Sequence, residues 1–445
     1  METMNRATRA RSLRAAAIGN ALEWFDWTLY GSFSYYLSIN LFQAKDKVSA
    51  LLMTLAVFAV GFVARPVGGW LFGTFGDRLG RRQTLFITMG LLFASGLAIA
   101  LIPTYSSIGS AASFILLICR LVQGLAHGGE SGVSYTYVAE IAPASKRGLW
   151  SSAIFVSATL GVMAATALAG ALSSLLGNAA MQSYGWRMGF AFGAFLGLYV
   201  LVLRRNAVET EVFEASTTRH TNRQATKLSM AGSLIVARNI VMCAAAGNAF
   251  YYTWVTFAPT LAISSKGMEA SSAYLASLGA QIICLFWLPF CGWLSDRIGR
   301  KAITMLFGIG VMVSTFPISK LLSSAPWTLF VAQTIGLCIW GFSSAVYAAL
   351  VSEQVPTHAR ARGVGFVTSL SAAVFGGTAP YLNTWLTSIG LSWVYMAYVV
   401  ALGAMACAGA LLIRETRGIE LNQIADPTGA AAAPASLVVN GQRQA

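Results

Sequence analysis

Residues 76–82 read GDRLGRR, and residues 295–301, in the other half of the chain, read SDRIGRK. Each copy joins an aspartate to glycine and basic residues, and each lies between two long apolar runs. Glycine permits a tight turn, and arginine and lysine beside apolar runs are typical of the cytoplasmic ends of membrane-spanning helices. The duplicated segment therefore predicts two related halves, each built from helices that cross a membrane.

Two further pairs of segments repeat in the same order. GNALEWFDW at 19–27 corresponds to GNAFYYTWV at 247–255, and YVAEIAP at 137–143 corresponds to LVSEQVP at 350–356. A polar, charged connection over about 204–238 separates the two halves. Two halves of the same orientation, related by an axis along the membrane normal, describe a major transporter architecture with substrate held between them near mid-bilayer.

The composition is typical of an integral membrane protein. Of 445 residues, 56% are apolar and 10% charged, and a spanning helix needs about 20 mostly apolar residues. We predict an all-α integral membrane fold of twelve transmembrane helices in two six-helix bundles, and disfavour a large soluble helical protein. The predicted spans are 15–42, 48–73, 84–103, 112–141, 149–176, 186–203, 239–262, 273–294, 302–322, 326–355, 363–388 and 391–413. The predicted domains are an N-terminal tail (1–14), a first bundle (15–203), a central loop (204–238), a second bundle (239–413) and a C-terminal tail (414–445).

The net charge of +14 reflects topology rather than nucleic-acid binding. Most of the 30 lysines and arginines fall in the tails and the even-numbered connections, which places both termini in the cytoplasm. We interpret the basic N-terminal segment and the apolar run after it as a retained first helix rather than a cleaved signal peptide. The six cysteines are scattered singly within spans, so we predict neither disulfide nor metal site.

Two carboxylates, Glu23 and Asp26, interrupt the first apolar run. An ionisable group at mid-bilayer costs about 2.5–3.5 kcal/mol or more, so both are expected to face the protein interior or a cavity. They lie one helical turn apart on one face. Burial favours a neutral carboxyl group and a nearby arginine favours the charged form, so such a group can load and release a proton.

Several segments resemble the major facilitator superfamily. GTFGDRLGRR at 73–82 resembles the signature between its second and third helices, and the pattern of 19–26 (GNxxEWFD) resembles the first-helix signature of its metabolite:proton symporter family. Similar stretches are ARPVGGWLFG (64–73), RLVQGLAHGGESG (120–132), YGWRMGF (184–190) and FGGTAP (375–380). The resemblance implies import with protons of metabolites such as 2-oxoglutarate, citrate, shikimate, phthalates, proline or betaine across a bacterial inner membrane.

Charged residues at the predicted cytoplasmic helix ends are assigned to gating. Glu140 is the expected partner of the arginines in the first half, and Glu353 is its counterpart in the second half. Salt bridges between helix ends can favour one of two packings, and simple positive-inside anchoring is the alternative. The predicted gating residues are Gly73, Asp77, Arg78, Gly80, Arg81, Glu140, Asp296, Arg297, Arg300 and Glu353.

Resemblance to proton-coupled sugar porters pairs Asp26 with Arg120 of span four, and protonation of Asp26 is expected to release Arg120. At 1.5 Å per residue Arg120 lies about 30 Å from Glu140, so helix four is expected to protrude or to bend at its glycines. Glu130, after two glycines, is a second protonatable or substrate-sensing candidate, with helix packing as the alternative. We interpret His127 as a packing residue, with a proton relay to Glu130 as the alternative. The predicted proton-coupling residues are Asp26, Glu23, Arg120 and Glu130.

Carboxylate substrates require fixed positive charge, for which guanidinium provides a bidentate fork. Arg65 lies within span two and Arg187 opens span six, and snorkelling to the interface is the alternative role. Aromatic residues of the second half align with the acids of the first, and packing or interfacial belts are their alternative. The predicted substrate-binding residues are Arg65, Arg187, Tyr251, Tyr252, Trp340, Tyr347 and Gln123.

The sequence predicts a proton-coupled symporter that imports a small organic acid anion by alternating access. The alternatives are proton- or sodium-coupled uptake of a zwitterion such as proline or betaine, and a non-transporting sensor. An enzyme is disfavoured because the three histidines lie in different regions and no P-loop or HExxH occurs. We expect no cofactor, no nucleic-acid partner, and a monomer in the bacterial inner membrane whose partners are substrate, protons and lipid.

Overall fold

The computed structural model describes residues 6–43, 47–79, 81–205, 230–355, 360–419 and 421. In these ranges the regular structure is helical throughout, in twelve long helices. They are α1 (Arg6–Leu41), α2 (Lys47–Leu79), α3 (Arg81–Leu101), α4 (Ala111–Ile141), α5 (Arg147–Ala180), α6 (Trp186–Arg205), α7 (Met230–Tyr251), α8 (Ala270–Ile298), α9 (Arg300–Leu321), α10 (Pro326–Glu353), α11 (Arg360–Ser371) and α12 (Ser392–Leu412).

Two helices of the second half are interrupted by wide turns. After α7 the chain makes a π-helical turn over Tyr252–Thr256 and continues as the helix Ala258–Lys266. After α11 a similar turn over Ala372–Gly377 leads to the helix Ala379–Ser388. A proline lies in the first turn of each continuing helix, where its missing N–H removes no helical hydrogen bond. Such π turns are frequent at functional sites.

Shorter elements complete the connections. A single helical turn, Tyr105–Ile108, precedes α4, and a 3₁₀ turn, Ala144–Lys146, joins α4 to α5. A π-helical turn, Met181–Gly185, joins α5 to α6.

The twelve predicted spans are confirmed as helices. Eight stretches of the described residues are long and apolar enough to cross a membrane, one of which, Ala144–Tyr199, contains α5 and most of α6. The remaining three helices are α1, which carries two carboxylates, α3, whose described apolar part is Phe86–Leu101, and the interrupted α11. The sequence placed residues 230–238 in the central loop, but α7 begins at Met230 and makes them helical.

Helices α1–α6 form the first bundle and α7–α12 the second. The bundles meet along two seams, where α5 packs against α8 and α2 packs against α11 with its π turn. Small residues allow close contact within the bundles: a Cβ on Gly161 of α5 would lie 1.9 Å from the carbonyl oxygen of Ala21 on α1. Such contacts are typical of membrane helices, whose apolar surfaces gain nothing by leaving lipid.

Candidate functional site

A cluster of ionisable side chains lies inside the first bundle, where α1 faces α4. Glu23 and Asp26 project from α1, and Arg120 and His127 project from α4. Arg120 is 0%, His127 1% and Glu23 4% exposed. Buried charges need partners, and the structure brings Asp26 and Arg120 together as expected. Among the described residues, no group of three His, Cys, Asp or Glu side chains could hold a metal ion.

Arg120 is linked to Asp26 through Gln123. Nη1 of Arg120 donates to Oε1 of Gln123 (2.6 Å), and Nε2 of Gln123 donates to Oδ1 of Asp26 (3.2 Å). The direct separation of Arg120 Nη1 and Asp26 Oδ2 is 3.8 Å. The rings of Trp27 and Tyr30 lie 4.1 and 4.3 Å from the guanidinium carbon, and their π faces stabilise the cation. Gln123, a predicted substrate-binding residue, therefore bridges the predicted ion pair.

His127 lies between the two carboxylates. Its Nδ1 is 3.3 Å from Oε1 of Glu23, and its Nε2 is 3.9 Å from Oδ2 of Asp26. The sequence led us to interpret His127 as a packing residue, but its contacts place it among the ionisable groups. The signal that could have identified it is helical register, because position 127 follows Arg120 by two turns and shares its face of α4.

Glycines bring α2 and α4 into backbone contact beside this cluster. A Cβ on Gly124 would lie 1.9 Å from the carbonyl oxygen of Gly61, and a Cβ on Gly128 would lie 1.8 Å from that of Arg65. Helix α4 runs without interruption from Ala111 to Ile141. These glycines allow close packing of the two helices, and the bend expected from the sequence stays a prediction. The contact holds Arg65 next to the charged cluster.

Arg65 is a buried guanidinium among aromatic rings. Its guanidinium carbon lies 4.1 Å from the ring centre of Trp27 and 4.2 Å from that of Phe62. The residue is 6% exposed, and its Nε and Nη2 atoms have no hydrogen-bond partner. No carboxylate among the described side chains lies within ion-pair distance of it. Because an uncompensated buried charge is costly, Arg65 is a candidate site for an anion.

A small cavity lies between the two bundles, with a volume of about 10 Å³, which is room for roughly one water molecule. Trp24 and Phe155 line it from the first bundle, and Tyr251 and Trp340 line it from the second. The ring centres of Trp24 and Tyr251 are 5.2 Å apart, and those of Tyr251 and Trp340 are 4.9 Å apart. A metabolite therefore fits here only when the bundles move apart.

The two other predicted aromatic residues extend this lining. Tyr252 is 5.0 Å from Tyr251 and 5.1 Å from Phe62, ring centre to ring centre, so aromatic rings connect the cavity to the side chain on which Arg65 stacks. Tyr347 packs edge-on against Phe155 at 6.2 Å. The structure thus brings all four predicted aromatic residues to the interface between the bundles.

At one end of the molecule, here called the charged end, the last turn of α8 caps a helix of the other bundle. Asp296 accepts hydrogen bonds from the backbone N–H groups of Gly148 (2.8 Å) and Leu149 (2.9 Å), at the start of α5. A carboxylate at a helix N-terminus is stabilised by these donors and by the helix dipole. A Cβ on Gly148 would lie 2.6 Å from the carbonyl oxygen of Gly292, so glycine is required for this approach.

Glu353 joins the bundles at the charged end. It is 1% exposed, and its carboxylate accepts from Nη1 of Arg147 (2.9 Å) and from Nε and Nη2 of Arg300 (3.1 and 3.2 Å). The expected pairing of Glu353 with an arginine of the second copy is present, with Arg300. Arg147 was missed; the available signal was the basic residues that follow YVAEIAP and LVSEQVP in each half.

The segment after α12 also contacts the charged end. The Thr416 hydroxyl donates to Glu353 (2.6 Å), and the Glu415 carboxylate accepts from the N–H groups of Arg300 (2.9 Å) and Lys301 (3.1 Å) at the start of α9. Burial opposes ionisation of Glu415, but the backbone N–H donors together outweigh it and lower the pKa of its carboxyl. Glu415 is therefore an anionic cap for α9.

The opposite end is closed by contacts between α1 and the second bundle. The Thr260 hydroxyl donates to the carbonyl oxygen of Gly31 (2.9 Å), and the Tyr274 hydroxyl donates to that of Ser32 (2.7 Å). A Cβ on Gly31 would lie 2.5 Å from the Thr256 side chain. The bundles are thus in contact at both ends, with the charged cluster and the cavity between them.

Three further predicted site residues also lie outside the charged cluster and the cavity. Arg187, at the start of α6, donates to the carbonyl oxygen of Ile102 (2.7 Å), which gives no support for a substrate contact. Arg297 stacks on Trp293 at 4.2 Å, and Glu140 is exposed near the end of α4. The remaining predicted site residues fall outside the residues and side chains that the structure describes: Gly73, Asp77, Arg78, Gly80, Arg81 and Glu130.

Twelve membrane-spanning helices in two bundles, closed around a buried charged cluster, define a multi-pass membrane transporter. The sequence pattern of the Major Facilitator Superfamily matches residues 16–380, and the chain belongs to that superfamily.

Several relatives are similar over most of their length. An alpha-ketoglutarate permease of Escherichia coli (strain K12) is 33% identical over 93% of this chain and 96% of its own. A citrate-proton symporter of Klebsiella pneumoniae is 33% identical over 82% and 83%. A Staphylococcus haemolyticus relative named for proline and betaine transport is 31% identical over 89% and 85%. These matches confirm the resemblance to metabolite:proton symporters.

Solved structures share the fold at low sequence identity. The proton:xylose symporter XylE bound to 6-bromo-6-deoxy-D-glucose has a TM-score of 0.73 with 18% identity, over 93% of this chain and 97% of that one. Inward open XylE from E. coli has a TM-score of 0.70 with 19% identity, over 93% and 98%. The predicted architecture of two six-helix bundles is thereby confirmed.

Proposed function

We propose that the protein is a proton-coupled symporter that takes up a small organic acid anion by alternating access. The observation that carries the proposal is Arg65, a buried guanidinium with two unpartnered nitrogens and no described carboxylate within reach. A substrate carboxylate can occupy both free N–H groups in the bidentate geometry that guanidinium favours. The names of the E. coli and K. pneumoniae relatives support this substrate class.

The charges of the cluster support coupling to protons. Glu23 and Asp26 contribute two negative charges near one fixed positive charge, Arg120. One bound proton neutralises the remaining negative charge, which leaves Arg65 as the positive charge available to the substrate. In a site of low dielectric, a negative charge on the protein repels an anionic substrate. Binding of a proton removes that charge and therefore strengthens anion binding. Release of either ligand then weakens retention of the other.

Alternating access requires the two ends to open in turn. At the charged end, Asp296 and Glu353 of the second bundle bond to α5 and Arg147 of the first. At the opposite end, Thr260 and Tyr274 bond to α1. A salt bridge or hydrogen bond that forms in only one arrangement of the two bundles stabilises that arrangement over the other. We therefore assign these contacts to gating.

The orientation follows from charge. Basic residues concentrate at the charged end, so we place this end and both termini in the cytoplasm of a bacterium, with the chain in the inner membrane. Both bundles contribute to the site from a single chain, so a monomer is sufficient for transport.

Uptake of labelled 2-oxoglutarate and citrate into proteoliposomes with an imposed pH gradient tests the proposal. With the membrane voltage clamped at zero by a permeant counter-ion, wild-type protein should accumulate one of them by about tenfold per pH unit if one proton moves with each anion. Asp26→Asn should abolish accumulation but keep counterflow exchange, since the amide keeps the size of the site and loses its charge. Glu269→Gln, which changes an exposed carboxylate bonded only to Ser271 and Ser272 in the described structure, is the matched control. Equal accumulation with sodium absent and the gradient collapsed by an uncoupler contradicts proton coupling.

A zwitterion such as betaine or proline is the second candidate substrate. Four aromatic rings line the cavity, and rings of this kind bind quaternary ammonium groups through cation–π attraction. A carboxylate at Arg65 with an ammonium group at Trp24, Tyr251 and Trp340 would satisfy both features. Accumulation of labelled betaine but of neither organic acid would select this candidate, and Trp340→Leu should then weaken betaine binding more than Arg65-dependent anion binding.

A further inference from the structure

We propose that His127 is the proton-carrying group of the charged cluster and that it bridges Glu23 and Asp26 as an imidazolium when the site is loaded. This inference rests on the proposed function, because it names the group through which protons are coupled. His127 is 1% exposed and faces a carboxylate oxygen on each side, at 3.3 Å from Nδ1 and 3.9 Å from Nε2.

Hydrogen-bond chemistry distinguishes the two protonation states of this arrangement. A neutral imidazole has one N–H and one bare nitrogen, whereas an imidazolium has an N–H on both sides. With both carboxylates ionised, a neutral His127 can donate to one of them only, and its bare nitrogen faces the other. Nε2 of His127 and Oδ2 of Asp26 are both buried, and neither has a hydrogen-bond partner. A proton on Nε2 and an approach of about 1 Å would join them at normal hydrogen-bond length.

Charged and titratable groups face this site from each helix packed around it. Among the described residues, Trp27 is the only aromatic residue whose ring packs against the imidazole of His127, with ring centres 5.2 Å apart. The surrounding groups are Glu23, Asp26 and Tyr30 of α1, Arg65 of α2, Arg120 and Tyr135 of α4, and Tyr252 after α7. The side chain of Glu130, on α4, is outside the described part of the chain.

The location of the proton explains how it is linked to the anion. The added proton comes from water on the side where substrate enters, adds to Nε2, and returns to water on the other side, so no further reactant is consumed. While it is bound, Asp26 is drawn toward His127 and away from the link through Gln123 to Arg120. His127 therefore couples the protonation state of the cluster to the position of a charged group on α1.

Nuclear magnetic resonance of ¹⁵N-histidine-labelled protein in lipid nanodiscs tests the inference without any substrate. The chain has three histidines, and loss of one signal in His127→Gln assigns the resonance, with His220→Gln and His358→Gln as assignment controls. Lowering the pH from about 8 to about 5 should add a second N–H to the His127 ring, as an imidazolium requires. Glu23→Gln and Asp26→Asn should each shift that transition. A ring that keeps one protonation state over this range overturns the inference.

Transport by the same variants separates this inference from the proposed function. His127→Gln keeps hydrogen-bonding groups on a side chain of similar reach but cannot carry a proton. It should reduce gradient-driven accumulation of labelled 2-oxoglutarate or citrate from about tenfold per pH unit to about onefold, with counterflow retained. If wild type is proton-coupled and His127→Gln is coupled equally, the inference fails and the proposed function stands. If His127 titrates as expected but wild type accumulates nothing under a pH gradient, the proposed function fails and the imidazolium bridge stands.

Discussion

Replacing Glu353 with glutamine should shift the protein toward opening at the charged end. Glu353 is buried and holds arginines from both bundles: Arg300 lies in its own bundle, and Arg147 lies in the other, with Nη1 2.9 Å from the carboxylate. The bond to Arg300 can persist in any arrangement of the bundles. The bond to Arg147 exists only while the charged end is closed, so its loss affects one of the two states.

The size of the shift follows from that single bond between bundles. A hydrogen bond to a charged group contributes about 1.5–3 kcal/mol, and breaking a buried pair completely costs about 3–5 kcal/mol. Only the bond between Glu353 and Arg147 differs between the closed and the open state. Arg300 stays paired with Asp296 of its own bundle, at 3.0 Å, in both states. We therefore expect Glu353→Gln to favour the state open at the charged end by about 1.5–3 kcal/mol, or roughly 10- to 100-fold in population.

Distances between spin labels measure this population directly. Labels at Ser145→Cys, on the connection before α5, and Ile298→Cys, at the end of α8, report the separation of the bundles in a variant that lacks the six native cysteines. Glu353→Gln should add or enlarge a long-distance population, and Glu269→Gln, at the opposite end, should not. A distance distribution identical to that of the parent protein would show that the Arg147–Glu353 bond does not bias the conformation.

Three other predictions concern packing, capping and the anion site. Gly128→Ala should lower stability by about 1–3 kcal/mol by forcing α4 away from the Arg65 carbonyl, whereas Gly90→Ala, whose Cβ would meet only Leu201 at 3.8 Å, should not; thermal unfolding of the two variants decides. Glu415→Gln should lower the Tm at neutral pH by removing a cap of about 0.5–1 kcal/mol at a partly exposed site. The pKa of Glu415 is lowered in the folded state. Its ionised carboxylate therefore stabilises the protein above the pKa of this group in the unfolded chain, and this stabilisation is lost as the pH falls through its pKa in the folded protein. The Tm difference between wild type and Glu415→Gln should thus vanish in acid. Arg65→Gln should weaken binding of the transported anion by about 10- to 100-fold, measured by calorimetry, and a wild-type affinity would contradict its assignment.

The helices and their pairing into halves were predictable because the signals for them are local. Hydropathy over about 20 residues reports the membrane span, and basic residues at its ends report orientation. The two glutamates of the matching segments YVAEIAP and LVSEQVP were predicted together, and Glu353 has the arginine partner expected for it. Boundaries were less accurate: the sequence ended the central loop at 238, whereas α7 begins at Met230.

The charged cluster was predictable only in part. Register along α1 placed Glu23 and Asp26 on one face, and the family resemblance paired Asp26 with Arg120. The role of Gln123 as the bridge between them was not foreseen, because amide side chains carry no signal of their own in an apolar helix. His127 was assigned to packing because a single histidine is usually a satisfied neutral side chain, and its two carboxylate neighbours come from another helix.

The sequence by itself determined that the helices lie in a lipid bilayer, how many helices cross it, that the chain contains an internal repeat, and that acids and arginines lie within the membrane. Only the tertiary structure decided that His127 lies between Glu23 and Asp26, that Arg147 reaches Glu353, and that Gly124 and Gly128 bring α4 against α2. Periodicity specifies which face of a helix is polar. It does not specify which helix that face meets, because the pairing of helices depends on side-chain volumes along the whole contact. A single Cβ in place of a glycine hydrogen would push the two backbones apart.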